Sequence, residues 1–304
     1  MSKSSELVVT ESGSAATRIL RVGGIDYLNS LPLLWGLDRE PDRIELSYHV
    51  PSRLASMLDD GELDVALIPV VAYADRSDYA IVPGIGISSY GGVRSIRLYF
   101  RDSLESVRRV GLDTCSRTSA LLTRLLFRER WGGEPEFVNL DPGTLHAVLS
   151  GDDRPGPDID GALLIGDAAL RHGIYEGWRN VDLGTEWTRW TGLPFVYAFW
   201  VCRPEALGVD SARILVERLG QARDDGVRHI DDIVRGCDLP QGFAAGEAIH
   251  YLNRIIQYDL CEEKRAAMAL YFERLRAAGL LDLDGDAMRF LDARAGDEKG
   301  QRRR

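Results

Sequence analysis

The chain has 304 residues, of which 45% are hydrophobic and 28% charged, the make-up of a globular protein long enough to form two lobes. Its 47 Asp and Glu against 37 Lys and Arg leave a formal charge of −10. That balance argues against a nucleic-acid binder, because phosphate contacts need clustered Lys and Arg, but it leaves room for a small anionic ligand in a locally favourable site.

Residues 1–17 are rich in Ser, Thr and Ala, and 291–304 are polar and end in Arg302, Arg303 and Arg304, so both stretches are expected to be disordered tails. The apolar run Leu7-Val8-Val9 is far shorter than the roughly 7 to 15 residues of a secretory signal. No stretch approaches the roughly 20 apolar residues of a membrane span. Cys115, Cys202, Cys237 and Cys261 stand apart, with no CxxC pair and no Cys/His cluster, so no metal site is expected. A cytoplasmic, reduced location fits these features.

In chain order, 19–25 reads as a strand, 44–50 as a second, and 51–60 as a helix with Leu54, Met57 and Leu58 on one face and Gly61 as its stop. The apolar run 65–71 reads as a buried parallel strand. The unit recurs after an extended segment at 96–100: strand 107–112, helix 118–131 with a Leu121, Leu122, Leu125 and Leu126 stripe, and strand 136–140. Strands at 162–165 and 195–202 follow, and 211–280 reads as helical. Two α/β halves with a late return strand imply a first lobe from 18–100 and 195–290, a second from 101–194, and a cleft between them.

Polar clusters stand at the strand ends, where open α/β sheets meet their ligands. Asn29, in Gly23-Gly24-Ile25-Asp26-Tyr27-Leu28-Asn29-Ser30, offers an amide donor and a carbonyl acceptor, and would equally serve as a turn residue. Ser95, after Gly91-Gly92-Val93-Arg94, suits a ligand hydroxyl or an ordinary loop, and no neighbouring base makes it a nucleophile. Ser116-Arg117-Thr118-Ser119 opens a helix whose free N–H groups favour an anion, while Ser116 or Thr118 would also cap it. Arg117 reads as solvent-facing. Asp167, after Leu164-Ile165-Gly166, is either a cap or a residue that orients a ligand. The aromatic-rich stretch 182–200 would wall a flat ring or pack a core. The five histidines, His49, His146, His172, His229 and His250, fall outside these segments, so neither a Ser/His/Asp triad nor a zinc site is expected. No GxGxxG follows a strand and no GxxxxGK[ST] occurs, which argues against nucleotide binding.

Taken together and in order, Ile25 to Pro32, Ser116 to Ser119, Ile165-Gly166-Asp167 and the stretch from Trp187 through Gly192-Leu193-Pro194-Phe195 to Trp200 resemble the chorismate dehydratase family, from about residue 18 to about 280. The resemblance implies an α/β fold like type 2 periplasmic binding proteins, with two lobes around a ligand cleft. It implies loss of water from chorismate to give 3-[(1-carboxyvinyl)oxy]benzoate in the futalosine route to menaquinone, with no metal or organic cofactor. It also implies Asn29 and Ser95 as the functional polar pair, and Tyr27, Ser116, Thr118, Ser119 and Asp167 around the substrate, with the Ser116–Ser119 motif holding a carboxylate. Phe100 departs from the small polar residue expected there. A sister enzyme of the same pathway, 1,4-dihydroxy-6-naphthoate synthase, uses a histidine and a different signature after its first strand, and a non-catalytic solute-binding protein is the reading from another class. An acidic chain with a dianionic substrate implies a cleft less acidic than its surroundings, built from neutral donors.

Overall fold

The computed structural model describes residues 19–39, 43–76, 78–152, 156–171, 175–204, 207, 209–281 and 288–291. The proposed tails at 1–17 and 292–304 lie outside them. Leu291 does not belong to a tail, since its N–H donates to the Ile81 carbonyl at 2.8 Å.

The described residues open with β1 (Leu20–Ile25), a 3₁₀ turn at Leu28–Ser30 and the short α1 (Leu31–Leu34). There follow β2 (Ile44–His49), α2 (Pro51–Asp59), β3 (Val65–Pro69), β4 (Ala80–Ser89), β5 (Ile96–Phe100), β6 (Arg109–Asp113) and α3 (Arg117–Leu126). Then come β7 (Glu136–Leu140), α4 (Pro142–Ser150), β8 (Gly161–Ile165), α5 (Gly166–Arg171), β9 (Arg179–Asp182), α6 (Leu183–Thr191) and β10 (Phe195–Cys202). The last elements are α7 (Val209–Arg228), α8 (Ile230–Gly236), α9 (Ala245–His250), β11 (Gln257–Leu260) and α10 (Glu262–Ala277).

These strands form two sheets. The first has six strands in the order β11-β4-β10-β3-β1-β2, and the second has five in the order β7-β6-β8-β5-β9. Around β1 and around β6 the pairing is parallel, as strand-helix-strand repeats require. Both sheets are nevertheless mixed, beyond the parallel strand-helix-strand units that the sequence pattern implied. β10 runs antiparallel to β3 and β4, and β5 runs antiparallel to β8 and β9. These are strands next to the crossings between the sheets, and a strand that enters a sheet after crossing from the other runs against its neighbours without needing a helical crossover. Ile96–Phe100, grouped on sequence with the first lobe, is hydrogen bonded into the second sheet. β4 escaped notice because Pro83, Gly84 and Gly86 interrupt its strand signal; its pairing with β10 is irregular at two places.

Helix α2 packs its Leu54, Met57 and Leu58 face inward, as its spacing predicted. Helix α3 ends at Leu126 and continues as a π-helical turn over Phe127–Trp131. Helix α7 crosses α1 so closely that a Cβ on Gly226 would lie 2.0 Å from the Pro32 carbonyl oxygen, which fixes glycine there. Two contacts carry α10 across to α3: the Tyr271 hydroxyl donates to the Thr118 carbonyl at 2.8 Å, and Arg128 donates to the Ala278 carbonyl.

Candidate functional site

At the end of β1 the chain turns on itself. The Ser30 hydroxyl donates to the Tyr27 carbonyl at 2.7 Å, and Pro32 enters the first turn of α1, where its missing N–H costs nothing. The Leu28 N–H donates to the Asp167 carboxylate at 3.2 Å, so α5, following the second sheet's β8, holds the turn that carries Asn29. Tyr27 lies over Gly166, whose φ of +59° and a hypothetical Cβ 2.9 Å from the ring leave room for no other residue.

Tyr27, Asn29 and Gly166 line a small pocket between the sheets. Its polar lining comprises Tyr27, Asn29, Ser95, Ser116, Ser119 and Tyr197, set among Ile25, Ile87, Ile96 and Ile165. No lining side chain is charged. A larger cavity adjoins it, sharing Pro51, Pro69 and Ser116, and its lining includes Asp113 together with Arg76, Arg117 and Arg124. The pocket itself thus offers neutral donors.

Ser116 both lines the pocket and caps α3: its hydroxyl accepts from the Ser119 N–H at 3.1 Å and donates to the Ser119 hydroxyl at 3.0 Å. Capping thus does not withdraw Ser116 from the pocket lining. The N–H groups of the first turn of α3 add positive potential beside those hydroxyls. Thr118 is different. Its hydroxyl accepts from the Val71 N–H at 3.1 Å and is not part of the pocket lining. Asp167 likewise stays outside the lining and acts on Leu28. Arg117 pairs with Asp75 at the exposed surface.

Ser95 is 1% exposed, and its hydroxyl accepts from the Tyr251 phenol at 2.9 Å. The same phenol also interacts with the Asn29 side chain. Tyr251 therefore links the two residues singled out on sequence. It was missed because it sits in a stretch with a plain helical pattern, which the structure breaks into a π-helical turn at Tyr251–Ile255, a feature frequent at functional sites. Tyr197 was hidden in the aromatic stretch. Trp187, Phe195 and Trp200 pack in the core, with the Trp187 indole donating to the Pro194 carbonyl at 3.0 Å, whereas Tyr197 lines the pocket and shares a 2.8 Å hydrogen bond with Ser89. Alternation gave no signal for it, since every residue of β10 is buried and its pairing with β4 shifts register between Val196 and Ala198.

Burial sets the protonation of these groups. It pushes the phenols of Tyr27, Tyr197 and Tyr251 above their ordinary range, so all three are hydroxyls at neutral pH. Burial also raises Asp167 to about 6, against the opposing Leu28 N–H bond. The Cys115 thiol is pushed up to about 11, first by burial and then by Asp113, and is no nucleophile. None of the described histidines lines either cavity; His172 lies outside the described residues. The pocket can orient and polarise a polar ligand, and it presents no strong base.

Residues 20–277 match a protein family described as menaquinone biosynthesis. The chain belongs to that family. Among curated members of known name, it is 29% identical over 266 residues to a chorismate dehydratase of Thermus thermophilus, covering 82% of this chain and 92% of that one. It is 23% identical to a chorismate dehydratase of Campylobacter jejuni, covering 85% and 98%. The fold is shared more widely. A Candida albicans protein described as having the generic periplasmic binding protein fold superposes with a TM-score of 0.63 at 14% identity, covering 88% of this chain and 92% of that one. A protein from Archaeoglobus fulgidus superposes with a TM-score of 0.63 at 18% identity, covering 86% and 98%. This family member therefore has the two-sheet architecture of periplasmic binding proteins. No described helix is long and apolar enough to cross a membrane.

Proposed function

We propose that the chain is an enzyme, a chorismate dehydratase that converts chorismate to 3-[(1-carboxyvinyl)oxy]benzoate and water in the cytoplasm. One observation carries the reading: Asn29 and Ser95, far apart in sequence, meet in an uncharged pocket between the sheets, with Tyr251 joining them and the first turn of α3 alongside. Family membership and the names of the two curated relatives support it.

The substrate lies between the lobes formed by 18–100 with 195–290 and by 101–194, with β5 counted in the second. Its ring carboxylate is received by Ser116, Ser119 and the α3 N–H groups, with Tyr27 over the ring. Thr118 and Asp167 hold this frame and do not touch the substrate. The C3–H bond breaks and its proton passes to the substrate's own enolpyruvyl carboxylate, in keeping with a pocket that has no strong base. The electron pair left on C3 is conjugated through the neighbouring double bond to the ring carboxylate. It then forms the C3–C4 double bond as the C4–O bond breaks, and the departing hydroxide takes that same proton from the enolpyruvyl carboxyl to become water. Asn29 and Ser95 orient the reacting groups, with the Asn29 amide donating to the leaving oxygen. Aromatisation drives the step, so the protein mainly positions groups and disperses charge.

Incubating the purified protein with chorismate and following the aromatic product by absorbance and chromatography tests the reading. Binding without conversion would instead support a solute-binding protein, and a protein that neither binds nor converts chorismate would overturn both readings.

A further inference from the structure

Ser95 follows the one non-glycine residue, among those described, that has a positive φ: Arg94, at +66°. An L side chain resists that left-handed conformation, so something must hold it there. The holder is Asp182, the last residue of β9. One carboxylate oxygen accepts from the Val93 N–H at 3.0 Å and the other from the Arg94 N–H at 2.6 Å. The first oxygen also accepts from the Thr185 N–H at 3.0 Å, which caps α6. Close by, the Gly91 N–H donates to the Thr188 hydroxyl at 3.0 Å, so the 91–94 segment is held by α6 and the residue that caps it. The Arg94 side chain turns away to pair with Glu247 and lie over Phe243.

We infer that Asp182 is a positioning residue for Ser95: its carboxylate holds the Val93-Arg94 turn in the left-handed form that presents the Ser95 hydroxyl to the pocket and to Tyr251. The inference rests on Ser95 taking part in the proposed dehydration. A helix cap alone needs a single acceptor, which asparagine supplies as well as aspartate does. Gripping two successive N–H groups needs two acceptors, and the asparagine NH₂ would face an N–H with a donor. Asp182→Asn therefore keeps the cap and the Val93 bond, which share one oxygen, and breaks the grip on the Arg94 N–H.

The test measures kcat and KM for chorismate, chorismate binding and the thermal midpoint in five proteins: wild type, Asp182→Asn, Ser95→Ala, Asp182→Asn with Arg94→Gly, and Asp182→Asn with Ser95→Ala. Asp182→Asn is expected to lower kcat by about tenfold or more with KM within about twofold, the signature of a lost transition-state interaction. Adding Arg94→Gly should recover at least about threefold of that loss, because glycine takes the left-handed turn without the clamp. In the Ser95→Ala background, relative to Ser95→Ala alone, Asp182→Asn should cost less than about twofold, since both changes act on one group. Near-normal kcat in Asp182→Asn would overturn the inference. So would a loss that glycine does not relieve, or one that persists in full without the Ser95 hydroxyl. A wild type that does not turn over chorismate would instead refute the dehydratase reading, and the two failures are separable.

Discussion

Tyr251→Phe removes one hydroxyl from a pair in which both partners are buried, with Tyr251 fully enclosed and Ser95 1% exposed. The lost neutral hydrogen bond, 2.9 Å long, contributes on the order of 1 kcal/mol to folding. With that donor present, the Ser95 proton is free to point at the substrate; without it, the Ser95 oxygen lacks its buried partner and the hydroxyl rotates. Felt in the transition state at the same strength, about 1 kcal/mol corresponds to roughly a fivefold rate loss, so kcat should fall about fivefold while KM changes little. Steady-state kinetics with chorismate, together with urea unfolding, reads both numbers. The wild-type profile should show no activation by tyrosine ionisation up to about pH 9, because burial raises the Tyr251 phenol above its ordinary value. A variant with turnover within twofold of wild type would refute this role for Tyr251. Wild-type activity that climbs with pH through 8 to 9 and vanishes in the variant would mean that Tyr251 acts as a base.

Asn29→Ala and Ser95→Ala should each lower kcat by at least about a hundredfold while chorismate binding, followed by calorimetry, weakens less than about tenfold. Burial raises Asp167 to about 6 from an ordinary 3.8, so the folded state holds its proton more tightly than the unfolded chain does. Its contribution is then fully present below pH 4 and lost as pH rises through 6, on the order of 2–3 kcal/mol in all. Thermal midpoints from pH 4 to 7.5 should show this decline in wild type and not in Asp167→Asn, which keeps an acceptor for Leu28. Gly226→Ala should destabilise by at least about 2 kcal/mol and lower activity, because the added methyl would drive α7 from Pro32 and disturb the turn that carries Asn29. Chemical unfolding and the chorismate assay check both effects.

The parallel halves were legible because buried strands and amphipathic helices leave periodic patterns, as at Val65–Pro69 and in α2. The antiparallel β4 and the short β9 and β11 were not, since Pro83 and two glycines mask the first and four-residue strands carry little pattern. Within the site, Asn29, Ser95, Ser116 and Ser119 stood out because they occupy strand ends and a helix start. Tyr251 and Asp182 act through partners more than 80 residues away, and no local spacing encodes such a contact. Thr118 shows the limit of motif reading: it sits between two pocket residues in sequence, yet its hydroxyl turns to Val71.

The grip of α10 on α3 has a consequence for the order in which the molecule is made. Every polar residue of the pocket has been synthesised by residue 197, but Tyr251, which backs Ser95, comes some fifty residues later, and Tyr271 and Ala278, which fasten α3, come later still. A nascent chain stalled after β10 would carry Asn29, Ser95, Ser116 and Ser119 with none of these supports, so enzyme capable of turnover should first arise only once the last helix has left the ribosome.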